Sequence, residues 1–532
     1  MKTMRMLIAL AVAVLSSFAG AADSPFVDAR WLWPAELGKD VRNTTVEFRR
    51  TFASAKAGPA RLAIAADTVY EVRLNGAFVH TQRFPDVPPQ RFYDVLDLPS
   101  VKAGENELVV SLYVQGINTF QTLPGDPGLM FCVFGDGLSV PSDTSTSWRR
   151  SVRDRADGVP LVTSQLGYSF EYDAAAAEEE WKPLASGDAV RGADAFEFSE
   201  RPVPRVRILP EVREKVIVQG RLDGSPVPDV PAPGMDRTAM TPVSTAAFFE
   251  PDGRHVRPEH FADGFYVLVD LGREEAGLLS MDVETDAGAV IDIGHAEHME
   301  NLRIRTEIDK RNFCGRYRAR EGRQTFCRWQ RRMAGRYIQI HVRGAKTRFA
   351  LHRLSLKPVE LPLPNRWVPN FADPRMTEIW RTGVRTLALC MHEHYEDCPW
   401  REQALYGNDA RNQMLAGYYA FGKDWPMPAF ALELHARGLG TDGWLEMCMP
   451  AKIRITIPSF TFNWVMSLGD HLRYVGDTAF LRRILPTAEA ILDRRLAEMK
   501  DGLLPCPAGD RYWQFYEWRP GLDGAVYVKD GE

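Results

Sequence analysis

LPLPNRWVPNFADPRMTEIWRTGVRTLAL, residues 361–389, is the stretch where the chain changes its hydrophobic period. Before it, apolar residues alternate with polar ones at the period of a β-strand. After it, they recur at about 3.6, so Met376, Ile379, Trp380, Val384 and Leu387 fall on one helix face. The Asp373-Pro374 step suits a helix start, because proline lacks an N–H where the first turn needs none. The pattern therefore predicts a β-rich N-terminal part and an α-helical C-terminal part.

Upstream of this switch, the run Gly264 to Asp270, the segment Val290 to Ile293 and the segment Tyr337 to Val342 read as strands of a larger β-sandwich over 261–360. Further back, Tyr70, Val72 and Leu74 alternate with polar residues, Asn75-Gly76 supplies a tight hairpin turn, and Leu108 to Val114 is a second strong strand. These place a jelly-roll β-sandwich over 22–140. Residues 141–260, with Pro226, Pro228, Pro231, Pro233 and Gly234 in one aperiodic stretch, read as a mixed region of linker or wrapping loop. Downstream, helical stretches run over roughly 409–421, 426–437, 459–474 and 478–499, joined by loops rich in aromatic and acidic residues. Helices in direct succession predict helical hairpins and not a parallel α/β sheet.

At 532 residues the chain exceeds one ordinary core, consistent with about three to four domains. Its formal net charge of −5 offers no field to concentrate on a polyanion, which disfavours nucleic-acid binding. The 11% aromatic content, with 13 Trp, suits flat sugar faces. Lys2 and Arg5, the apolar run Met6 to Leu15, and Ala19-Gly20-Ala21 form the pattern of a signal peptide over 1–21, so the protein is expected outside the cytoplasm, periplasmic or extracellular. No later stretch is long and apolar enough to read as a membrane span. Seven cysteines cannot all pair within one chain; a Cys314–Cys327 bridge and free buried thiols are both open.

The densest chemistry lies at residues 392–409, where five carboxylates, one arginine and three aromatics crowd a helix-to-helix connection. Hydrolysis of a glycosidic bond needs one carboxyl that holds a proton near neutral pH and a second that is ionised. Crowding carboxylates raises the pKa of one, since like charges oppose ionising all of them. A polar, salt-bridged loop is the structural alternative. His392, Glu393 and His394 lack the spacing that puts two histidines on one helix face, so no metal is expected.

Asp397-Cys398-Pro399-x-Arg401-Glu402, followed by Tyr406 and Asp409, resembles the Asp-Cys-Pro-x-Arg-Glu motif of the bacterial α-L-rhamnosidases of glycoside hydrolase family 78. The upstream order agrees, with Trp31-x-Trp33-Pro34, a jelly roll, and a sandwich ending in Gly335-Arg336-Tyr337-Ile338. The resemblance implies that residues 361–532 are part of an (α/α)6 toroid, the six-hairpin glycosidase fold. It implies an inverting hydrolase that removes terminal α-L-rhamnose from polysaccharides or glycosides, with water as nucleophile and no cofactor.

Carried over residue by residue, Glu402 is similar to the general acid, while Asp397 and Asp409 resemble the carboxylates that contact the sugar and support the acid. Arg401 resembles the residue that orients the acid's surroundings, and Tyr406 stands where the family usually has tryptophan. Trp444, Glu517 and Trp518, beside later helices, are further candidate substrate contacts. The family's base falls in a later hairpin, so the resemblance implies a C-terminally incomplete toroid that is inactive as it stands. The alternative is a carbohydrate-binding protein without turnover.

Overall fold

The computed structural model describes residues 24–83, 86–87, 90–188, 191–224, 227–364 and 368–524. The expected signal peptide lies outside the described residues. Among them, no helix is long and apolar enough to cross a membrane.

The first body is a β-sandwich whose sheets follow from period-2 patterning. In one sheet, β1 (Thr44–Ser54) and β3 (Val69–Leu74) flank β6 (Gly104–Val114), and β4 (Ala77–Arg83) lies at the edge. The other sheet centres on β2 (Gly58–Asp67), between β5 (Gln90–Val101) and β7 (Gly128–Gly135). The core is formed by Val46 and Phe48 of β1 and Leu108, Val110 and Leu112 of β6, packed against Leu62, Ile64, Leu96 and Phe131 of the facing sheet. Burying each such side chain contributes about 1.5–3 kcal/mol. Asn75 and Gly76 both take positive φ, 52° and 79°, in the turn that matches the twist of the β3–β4 hairpin.

The second body is built on one long strand, β12 (Phe265–Thr285), paired with β15 (Gly322–Arg343) and β16 (Phe349–Glu360). Strand β13 (Val290–Ala296) joins β15 to β14 (Cys314–Arg318). Alternate residues Phe265, Val267 and Val269 point inward with Ile291, Ile293, Ile338 and Ile340. Gly277 is required where β12 meets β16, because a Cβ there would lie 2.2 Å from the Lys357 carbonyl oxygen.

The stretch expected as linker over 141–260 is instead woven into both sandwiches. Strand β8 (Ser147–Arg150) extends the β1 sheet, and β10 (Glu197–Glu200) pairs in parallel with β5. Strand β9 (Glu171–Asp173) pairs with β14, and β11 (Lys215–Asp223) pairs with β12. Apart from the nine-residue β11, these pairings are made with distant partners by segments of three or four residues, which hides them in the sequence. The proline-rich stretch also differs from a loop: Pro231–Arg237 is a short helix, α1, whose Ala232 and Met235 pack on Cys314. A second short helix, α2, spans Thr245–Phe248. All seven cysteines are free. Cys314 faces Gly294 while Cys327 faces Ser280, so the Cys314–Cys327 bridge does not form.

Helices α3 (Pro374–Leu389), α4 (Gly407–Phe421), α5 (Met427–Arg437), α6 (Pro458–Tyr474) and α7 (Thr478–Glu498) form the third body. Asp373 caps α3, accepting from the Arg375 N–H at 2.9 Å. On the apolar face of α3, Val384 and Leu387 are buried, but Met376 and Ile379 are exposed. Trp464 anchors α6 to α5, its indole N–H donating to the Leu432 carbonyl at 3.0 Å. The chain is thus two β-sandwiches followed by helical hairpins, the fold class that the change of period predicts.

One apolar cluster joins all three bodies, running from Phe92 and Val206 through Leu278 and Val359 to Met391, Phe430 and Trp464. Beside it lies a buried polar clamp. Arg332 of β15 pairs with Glu396 and, at 3.3 Å, with Glu393, which also accepts from Gln82 of β4 at 3.1 Å. Burial opposes the charge on Glu396, but Arg332 and His392 outweigh it and hold its carboxyl down at about 2.

Candidate active site

The motif loop is shaped by its first acid. The Asp397 carboxylate accepts from the Ala404 N–H at 2.8 Å, and the Asp397 N–H donates to the Ala404 carbonyl at 2.9 Å, closing the loop on itself. Gln403 holds φ at 53° inside the loop, and its amide donates to the Pro399 carbonyl at 2.7 Å. Leu405-Tyr406 then pairs with Cys448-Met449, after which α4 begins at Gly407. Asp409 lies in the first turn of α4, where the helix dipole favours negative charge.

Glu402 is held at both carboxylate oxygens. Oε2 accepts from the Tyr406 hydroxyl at 2.7 Å, and Oε1 accepts from the Arg311 guanidinium at 3.3 Å. Its main-chain carbonyl accepts from the Gln121 amide at 2.9 Å. Burial, and then the charge of Glu402, push the Asp397 carboxyl up to about 7. The same two causes raise Asp409. The crowding expected from the sequence therefore acts on the two acids that neighbour Glu402. Tyr406 is pushed far up by burial and by Glu402, so it stays a hydroxyl donor.

These groups open onto a cleft of about 550 Å³ lined by Asp397, Arg401, Glu402, Tyr406 and Asp409, and by Glu517 and Trp518. Trp518 is 75% exposed and packs on Phe515, ring centroids 4.8 Å apart. An exposed indole beside a polar cleft presents a face on which a sugar ring stacks. Of the candidate catalytic and substrate residues named from sequence, Trp444 alone is not brought to the cleft. It is buried, with the Arg495 guanidinium 4.1 Å over its ring and Phe462 edge-on, so it serves packing and not substrate contact.

Sequence reading misses the contributions of Phe120, Gln165 and Arg311, which come from two loops and a short hairpin of the β-rich part without a motif of their own. It also misses Trp513 and Phe515, although four aromatics within 513–518 are a usable sign of an aromatic wall. His392 and His394 are spent structurally: His392 bonds Glu396 and the Val359 carbonyl, and His394 bonds the Tyr395 carbonyl.

Two family models match the chain. The bacterial α-L-rhamnosidase concanavalin-like domain matches residues 261–357, and the bacterial α-L-rhamnosidase six-hairpin glycosidase domain matches residues 370–525. No curated protein matches. Among solved structures, the GH78 family rhamnosidase of Bacillus sp. GL1 is similar with a TM-score of 0.78 at 19% identity, over 93% of this chain and 72% of that one. The α-L-rhamnosidase of Dictyoglumus thermophilum gives 0.61 at 16% identity, over 93% and 54%. That of Streptomyces avermitilis, complexed with L-rhamnose, gives 0.58 at 17% identity, over 88% and 43%. The chain therefore shares their fold while spanning about half of the length of the latter two.

Proposed function

We propose that this chain, which belongs with the bacterial α-L-rhamnosidases of glycoside hydrolase family 78 by its concanavalin-like and six-hairpin domains, binds terminal α-L-rhamnose in the Asp397–Asp409 cleft for hydrolysis with inversion. The observation that carries this reading is the placement of Glu402, a carboxyl held at both oxygens and facing a cleft with three further acids and an exposed tryptophan. Glu402 is the general acid, and the proton it gives to the leaving oxygen is the one that the crowded Glu402 and Asp397 carboxyls share. Asp397, held toward its neutral form, both donates to and accepts from sugar hydroxyls. Asp409 and Arg401 orient the ring, and Trp518 stacks on its apolar face. Residues 1–21 direct export, on the strength of Lys2, Arg5 and Ala19-Gly20-Ala21.

Inversion also needs a nucleophile delivered to the opposite face of the sugar. Outside the motif, Glu517 is the carboxylate that lines the described cleft. Azide can take the nucleophile's place without help from a base, so it isolates what Glu402 and the binding residues do. Incubation of the protein with an α-L-rhamnoside and sodium azide is expected to yield β-L-rhamnosyl azide, identified by proton NMR. The α-anomer would overturn inversion, and saturable rhamnose binding without any cleavage would favour a carbohydrate-binding protein.

A further inference from the structure

We infer that the cleft between the two sandwiches is a second binding site, independent of Glu402, and that it takes a sugar bearing a carboxylate. Its walls are the outward faces of two sheets. Side chains alternate along a strand, so Val46 and Phe48 of β1 enter the first core while Glu47 faces out, and Leu279 and Val283 of β12 enter the second core while Ser280 and Asp282 face out. The two polar faces enclose about 660 Å³, more than the motif cleft and within the range of ligand sites. The linings of the two clefts share no described residue.

Charge on these walls is matched unevenly. Glu47, Glu71 and Glu178 each have an arginine of their own, Arg149, Arg73 and Arg153, at 2.6, 2.8 and 3.4 Å. Asp282 is held by Arg323 at 2.8 Å and Asp154 by Arg328 at 3.5 Å. Glu211 instead stands between two cations of β16, Arg353 at 3.8 Å and Lys357 at 3.5 Å. One carboxylate cannot neutralise both, so this wall keeps a positive surplus. The cations are also the accessible partners: the Arg353 side chain is 42% exposed against 25% for Glu211, and on the facing wall Arg73 is 44% exposed against 7% for Glu71. Arg73 spends Nε and Nη2 on Glu71, which leaves Nη1 for a ligand. Exposed cations on both walls of one cleft suit an anion between them. Phe78, exposed and paired across the strands with Arg73, and the half-buried Trp329 of β15 add apolar faces, so the anion that fits is carried on a sugar ring.

Calorimetry with trigalacturonate and with its methyl ester, which keeps the rings and removes the charge, tests this directly. The acid is expected to bind about tenfold tighter than the ester, and to lose most of that advantage when sodium chloride is raised from about 0.05 to 0.5 M. Arg353→Gln, Lys357→Gln and Arg73→Gln should each weaken binding of the acid by about tenfold, with circular dichroism spectra that match the unaltered protein and show that the variants fold. No binding of the acid would make the cleft a solvated seam of ion pairs between two domains and overturn the site. Equal binding of acid and ester overturns the charged ligand, and an affinity unchanged in all three variants overturns the location.

Discussion

The Asp397 carboxyl, ordinarily near 3.8, is raised to about 7 by burial and by Glu402, so the folded protein holds this proton more tightly than the unfolded chain does. Between those two values the folded state binds more protons, and stability from this group falls as pH rises. Asp397→Asn removes that loss, on the order of 1.4 kcal/mol per pH unit within the window. Urea midpoints should therefore favour the variant at pH 8 and converge near pH 4; equal midpoints at both would show that Glu402 and burial do not act on this acid. The motif is legible in sequence because its spacing is local. Arg311, Gln165 and Phe120 are not, because only the fold brings residues so distant along the chain onto Glu402 and its cleft.

The helices are the most legible elements, since a 3.6 period sustained over several turns has few rivals. Even Pro486 inside α7 leaves the pattern intact, and the helix runs through it. Its start is set by Asp477, which accepts from the Phe480 N–H at 2.9 Å. Asp477→Ala is expected to cost about 1 kcal/mol, read as a lower urea midpoint with L-rhamnose binding unchanged. Strands of four residues, such as β8 and β10, are illegible because their alternation is too short to register and their partners lie far along the chain. Trp444 misleads for a related reason: an acid beside a tryptophan looks the same in sequence whether Arg495 covers the ring or solvent does.

The three bodies meet at Arg332, which faces Glu396 and Glu393 in a buried setting. Arg332→Met leaves those carboxylates without their shared cation and should cost about 3–5 kcal/mol. The clamp also sets an acid limit. The Glu396 carboxyl is held at about 2, below its ordinary 4.5, so its contribution is complete above 4.5 and is lost as pH falls toward 2. Arg332→Met should flatten or reverse that part of the stability profile, and an unchanged profile would show that the pair contributes nothing. The order of the bodies is readable from the switch of period near residue 361, whereas their shared core from Phe92 to Trp464 is not, because its members are scattered over the full length of the chain.

Whether Glu402 gives its proton to a leaving oxygen is decided by comparing two leaving groups in the presence of azide. A sugar leaving group needs protonation, while p-nitrophenolate departs with little help. Glu402→Gln should lower cleavage of rhamnosyl-(1→6)-glucose by about 10²-fold or more, and that of p-nitrophenyl α-L-rhamnoside by far less. Equal losses on both substrates, or none on either, would rule out Glu402 as the acid.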